Sequence, residues 1–121
     1  MHWLLKAALI IFGNAFALWL AEKYVPGFVL HASNAQLIVI GLILALLNFF
    51  LKPLLTLVLG PIILLTLGLG ILIVNALILY VLPLILNRID FLQGTLIIQN
   101  IPALIISTLI VSAVNLVIHI F

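Results

Sequence analysis

A single lysine interrupts an apolar stretch that reaches from Gln36 to Leu86. Lys52 is the only Asp, Glu, Lys or Arg between Lys23 and Arg88. A small soluble domain cannot hide such a run, because much of its surface stays in water. Composition agrees: 69% of the 121 residues are hydrophobic and 5% are charged, against about 25% charged in soluble domains. Lipid is the solvent this composition suits. The polar minority is expected to build no soluble domain at either end. The expected architecture is therefore an all-α, polytopic membrane protein, a single membrane domain over residues 1–121.

A bilayer core of about 30 Å takes roughly 20 apolar helical residues. The first candidate span is about Trp3 to Ala21. The segment resembles a signal peptide, with Lys6 ahead of an apolar stretch and an Ala15-Phe16-Ala17 sequence. Its match to a later segment, given below, makes it a retained span. Residues 22–36, with Pro26-Gly27 as turn chemistry, form a first polar break. Residues 87–100 form a second. The last candidate runs from about Pro102 to His119, with Pro102 suited to a first helical turn. Residues 36–87 are too few for three spans of about 20 residues and too many for two. A helix entering at Gln36 crosses a core of about 30 Å by about Lys52, where the ammonium reaches the interface. Pro53 disfavours a helical residue before it. Lys52-Pro53 is thus read as the end of the second span. Residues 53–63, with Gly60-Pro61 as a tight turn, become a short broken or re-entrant segment held against protein. The rival reading joins two long tilted helices at Gly60-Pro61.

The two halves resemble each other. Asn14-Ala15 lies over Asn75-Ala76, and Trp19 then falls opposite Tyr80. Leu42–Lys52 lies over Leu109–Ile120, so that Asn48 meets Asn115 and Lys52 meets His119. The pattern is a duplicated helical hairpin, about 3–52 and 64–119. Each hairpin crosses twice, so both enter from the same side. The repeat is parallel, with its pseudo-two-fold axis along the membrane normal.

Asn14, Asn48, Asn75 and Asn115 sit at matched depths. Amides are costly in hydrocarbon unless paired. They are expected inside the bundle, as interhelical packing contacts or as the lining of a pore. Asn48 and Lys52 share a helix face, as do Asn115 and His119. Small residues recur every four positions at Gly13, Ala17 and Ala21, at Gly41 and Ala45, at Ala103 and Ser107, and at Thr108 and Ser112. Such rows let backbones approach, within the chain or between chains.

Several chemistries find no support in the residues. The chain has no cysteine, so thiolate sites and disulfides are excluded. His2, His31 and His119 lack ligand spacing, so no metal is expected. No carboxylate lies within a span, as proton- or cation-coupled carriers usually require. Ser107, Thr108 and Ser112 have no base nearby in sequence, and no enzyme or cofactor is expected. A net charge of +2 comes from four basic and two acidic residues, too few to read as nucleic-acid binding. Lys6 and Lys52 share one side with the termini, and Lys23 and Arg88 share the other. The termini are expected to be cytoplasmic. Trp3, Trp19, Tyr24 and Tyr80 suit interfacial anchors.

Asn14-Ala15, Pro26-Gly27-Phe28, Asn48 with Lys52-Pro53, Leu65-Thr66-Leu67-Gly68 and Asn75-Ala76 together resemble the phage holin family 4. This is the mycobacterial-type four-span holin superfamily of small bacterial membrane proteins, largely of unknown function. The similarity covers nearly the whole chain. Such families often repeat the Pro-Gly-Phe loop after the third helix; here residues 87–94 read Asn-Arg-Ile-Asp-Phe-Leu-Gln-Gly instead. The resemblance implies a bacterial inner-membrane protein. The holin name implies oligomerisation and permeabilisation, whereas the common chromosomal location of family members suits envelope maintenance or stress.

Three functions follow as expectations. The first is a non-catalytic membrane protein that associates with itself or with other membrane proteins. The second is a holin-like pore former permeabilising the inner membrane. The third is a small transporter or anionic-lipid-binding protein, with Lys52 and Pro53, and Gly60 and Pro61 beyond them, forming a break that meets a headgroup. Membrane lipids are partners in all three.

Overall fold

The computed structural model describes residues 2–120, and at His119 the backbone alone. Its elements are α1 (His2–Tyr24), β1 (Phe28–Leu30), α2 (Asn34–Val58), α3 (Gly60–Leu65), α4 (Ile71–Leu86), β2 (Leu96–Ile98) and α5 (Ile101–Ile120). A 3₁₀ turn at Asp90–Leu92 lies between α4 and β2. Among the described residues, three helices, α1, α2 and α5, are long and apolar enough to cross a membrane, and α4 is a shorter apolar one. The 16 residues of α4 rise about 24 Å. Bonds from Ile71, Leu72 and Ile73 to the carbonyls of Gly68, Leu69 and Gly70 carry its coil further back as a tightened 3₁₀-type turn.

The helices form a ring. α1 packs against α2 and α5, and α4 packs against the same two. Leu18 and Ala21 of α1, Ile40 and Leu44 of α2, and Ile78, Leu79 and Leu82 of α4 are buried in the shared core, with Ala103 and Val111 of α5. Between helices in lipid no water is released, so close van der Waals contact carries the association. Gly41 makes the α1–α2 crossing possible. A Cβ there would lie 2.6 Å from the Ile11 carbonyl oxygen and 3.0 Å from the Ala15 nitrogen.

The two polar breaks pair with each other. β1 and β2 form an antiparallel ribbon with Phe28 opposite Ile98 and Leu30 opposite Leu96. The ribbon brings the ends of α1 and α4 and the starts of α2 and α5 to one end of the bundle, so α1 and α4 run in the same direction. Phe28 and Leu96 are buried beneath it. In lipid or at its edge, unpaired backbone groups are costly, and the ribbon pairs the backbone of the two loops with each other. Ser33 and Gln36 form a capping box on α2, the Gln36 amide donates to the Phe91 carbonyl at 2.8 Å, and Asn100 Oδ1 accepts from the Ala103 N–H at 2.8 Å. Gly27 (φ 91°) and Gly94 (φ 72°) both adopt the left-handed conformation ahead of their strands. The second loop thus keeps the glycine geometry while lacking the Pro-Gly-Phe sequence.

At the opposite end the expected break is displaced. α2 runs through Lys52 and Pro53 to Val58, so Lys52-Pro53 does not end the second span. Proline removes one N–H and crowds one carbonyl, a local loss that a helix within a packed bundle tolerates. The chain leaves the helix at Leu59-Gly60, and Pro61 opens α3. The Thr66 hydroxyl donates to the Ile62 carbonyl and accepts from the Gly70 N–H, both at 2.8 Å. Leu67 and Gly68 are both left-handed, at φ 57° and 93°. This reversal is the structural content of Leu65-Thr66-Leu67-Gly68. The linking segment is therefore 59–70, and residues 53–58 belong to the helix before it.

Candidate functional site

The four intramembrane amides do not share one environment. Asn14 is completely buried, and neither Nδ2 nor Oδ1 has a hydrogen-bond partner among the described residues. Asn75 Nδ2 donates to Ser112 Oγ at 3.0 Å, joining α4 to α5. Asn48, Asn75 and Asn115 meet at a void of about 10 Å³ between α2, α4 and α5, together with Thr108 and Ser112. That volume is at or below the space one water needs, so the amides meet in a tightly packed seam, with Leu44, Ile78, Leu79 and Val111 around them.

Asn48 and Asn115 also face a second, larger cavity. It measures about 200 Å³ and is lined by Ile10, Ala45, Asn48, Phe49, Lys52 and Asn115. Helical spacing puts Ala45, Asn48, Phe49 and Lys52 on one side of α2, while α1 and α5 supply the remaining walls. Lys52 is thus brought to two of the four expected amides. Gly60 and Pro61 lie in the reversal below it. His119, matched to Lys52 in sequence, has its side chain outside the described residues.

The other basic groups have different settings. Lys23 Nζ lies 5.1 Å from the Trp19 ring centroid and 5.7 Å from that of Tyr24, a cation–π arrangement suited to a membrane interface. Trp3, Trp19, Tyr24 and Tyr80 are exposed on the outer surface. A further cavity of about 390 Å³ opens at the ribbon end, between Tyr80, Pro83 and Asn87 of the α4 end and residues 96–101.

The hydroxyls of α5 serve the helix itself. Ser107 donates to the Ala103 carbonyl and Thr108 to the Leu104 carbonyl, each at 2.6 Å. Such back-bonding is their ordinary role inside helices. Among the described residues, no three metal-ligating side chains come together. Ala17, Ala21, Gly41, Ala103 and Ser107 of the small-residue rows are buried within this one chain. Sequence reasoning missed the Asn75–Ser112 bond and the caps at Gln36 and Asn100. Three signals for them were present: Ser33 three residues before Gln36, Asn100 ahead of Pro102, and Ser112 one turn from Asn115.

Comparison with protein-family models matches residues 5–117 to the family described as Mycobacterial 4 TMS phage holin, superfamily IV. No curated protein matches, and no solved structure does.

Proposed function

The chain belongs to the mycobacterial 4 TMS phage holin superfamily IV, and from that premise we propose that it acts without catalysis, by associating in the membrane with its own copies or with other membrane proteins. Its place is the bacterial inner membrane, with both termini cytoplasmic and a role in envelope maintenance. The observation that carries this reading is the distribution of polarity. Three amides converge on a void too small to conduct, while the outward faces are apolar. A groove of about 360 Å³ between α1 and α5, lined by Gly13, Phe16, Ala113, Val114, Val117 and Ile118, contributes no polar surface. Small residues in its floor suit the close approach of a neighbouring helix.

The chain has no cysteine, so Ala113→Cys introduces a single reporter into the groove. Oxidative crosslinking in membranes should give disulfide-linked dimers, at higher yield than Leu54→Cys on α2. Equal yields would remove the groove as an association surface.

The second reading is a holin-like pore, favoured by the convergence of Asn48 and Asn115 beside Lys52. Dye-loaded vesicles separate the two. Retention of dye at modest protein density is expected. Release that disappears in Asn48→Leu and Asn115→Leu would replace the associative reading with the pore.

A further inference from the structure

We propose that the cavity around Lys52 is a phosphate-binding site, occupied by a phosphate that carries net negative charge. The first observation is an uncompensated cation. The only acidic side chains of the chain are Glu22 and Asp90, and both belong to the ribbon end, at the finish of α1 and in the 3₁₀ turn after α4. Lys52 lies about 27 Å along α2 from Asn34, six residues before the helix ends at Val58 and towards the end of the bundle opposite both acids. A cation at that level attracts anionic headgroups.

The second observation is the donor set. Asn48 lies four residues before Lys52 on the same helix, and Asn115 reaches the same cavity from α5. The lining thus carries one ammonium and two amides from two helices, groups that can donate to a tetrahedral anion whose oxygens accept from several directions. No carboxylate stands among the lining residues to repel it.

The third is room and access. About 200 Å³ is several times the roughly 30 Å³ share of one water. Phe49 both lines the cavity and is 73% exposed on the outer surface. One wall of the cavity thus belongs to a residue on the exposed surface of the bundle, the position a headgroup would take while its acyl chains stay in the bilayer. Lys23 differs at each point: it sits over aromatic rings on an exposed surface, with Glu22 as its neighbour in sequence.

The test uses the full chain purified in mild detergent. Phosphatidylglycerol, phosphatidylcholine and inorganic phosphate are the probes, read by native mass spectrometry and by phosphorus-31 NMR. Phosphatidylglycerol should be retained about fivefold over phosphatidylcholine, the scale of one lysine's attraction to anionic lipid. Lys52→Gln should abolish that preference, whereas Lys52→Arg and Lys23→Gln should keep it. A Lys52-dependent response to inorganic phosphate, without phosphatidylglycerol retention, would support the phosphate site and assign it to a soluble ligand. Equal retention of both lipids by the wild type, with no Lys52-dependent phosphate response, overturns the proposal. If Lys52→Gln loses helicity by circular dichroism, Asn115→Leu carries the test, and an undiminished preference there overturns it as well.

Discussion

Asn14 and Asn75 occupy matched positions in sequence yet end in opposite states. Asn75 has Ser112 to bond, whereas Asn14 has no hydrogen-bond partner among the described residues. Under the proposed repeat, the position matching Ser112 is Ala45, which has no hydroxyl. A buried amide without a partner costs about 1–3 kcal/mol. Asn14→Leu should therefore raise stability in bilayer-mimetic unfolding measurements, and a fall would show that Asn14 has an unseen role. Ser112→Ala should lower stability by about 0.6 kcal/mol and at most about 1.7 kcal/mol, the range for interhelical side-chain bonds in membranes. Neither effect can be read from the asparagines alone, because the alignment makes them equivalent and only their neighbours differ.

Helices and turns are set by different residues than the polar pattern suggests. Pro53 reads as a terminator, but α2 continues through it because bundle contacts outweigh one missing hydrogen bond. Pro53→Ala should accordingly leave the span intact, with helicity by circular dichroism unchanged or slightly higher. The glycines separate cleanly by what surrounds them. Gly41 touches the backbone of α1, so Gly41→Ala must push α1 away despite alanine's helix preference of about 1 kcal/mol. It should destabilise the bundle by about 1–3 kcal/mol, the cost of overpacking. Nothing lies within 4 Å of a Cβ built at Gly60, so Gly60→Ala should be tolerated in the same unfolding assay. The β1–β2 ribbon was not legible. Three-residue strands are too short to show alternation, and their pairing joins loops from opposite halves of the chain.

The proposed duplication assigns α1 to α4 and α2 to α5. Exchanging α1 with α4 and α2 with α5 leaves the neighbours within the ring of these four helices unchanged. Six matched pairs are buried at both positions, Ala17 with Ile78, Leu18 with Leu79, Ala21 with Leu82, Ile40 with Ser107, Gly41 with Thr108 and Leu44 with Val111, whereas Asn14 and Ala15 are more buried than Asn75 and Ala76. If the two halves act alike in association, Trp19→Cys and Tyr80→Cys should label equally with a membrane-impermeant thiol reagent from the same side. Labelling from opposite sides would rule out a parallel repeat. What the sequence determined by itself is the solvent and the number of crossings, since apolar length against a fixed bilayer thickness allows few other solutions. It also marked the four amides and the lone lysine as the polar exceptions. The tertiary structure decided which of these groups meet: Asn75 with Ser112, Asn48 and Asn115 with Lys52, and Asn14 without a hydrogen-bond partner among the described residues. It also decided where the chain turns between its halves. The physical reason is that hydropathy is a property of each segment, while hydrogen bonding and close packing belong to pairs of segments. Their partners lie on other helices, at sequence distances that periodicity does not encode.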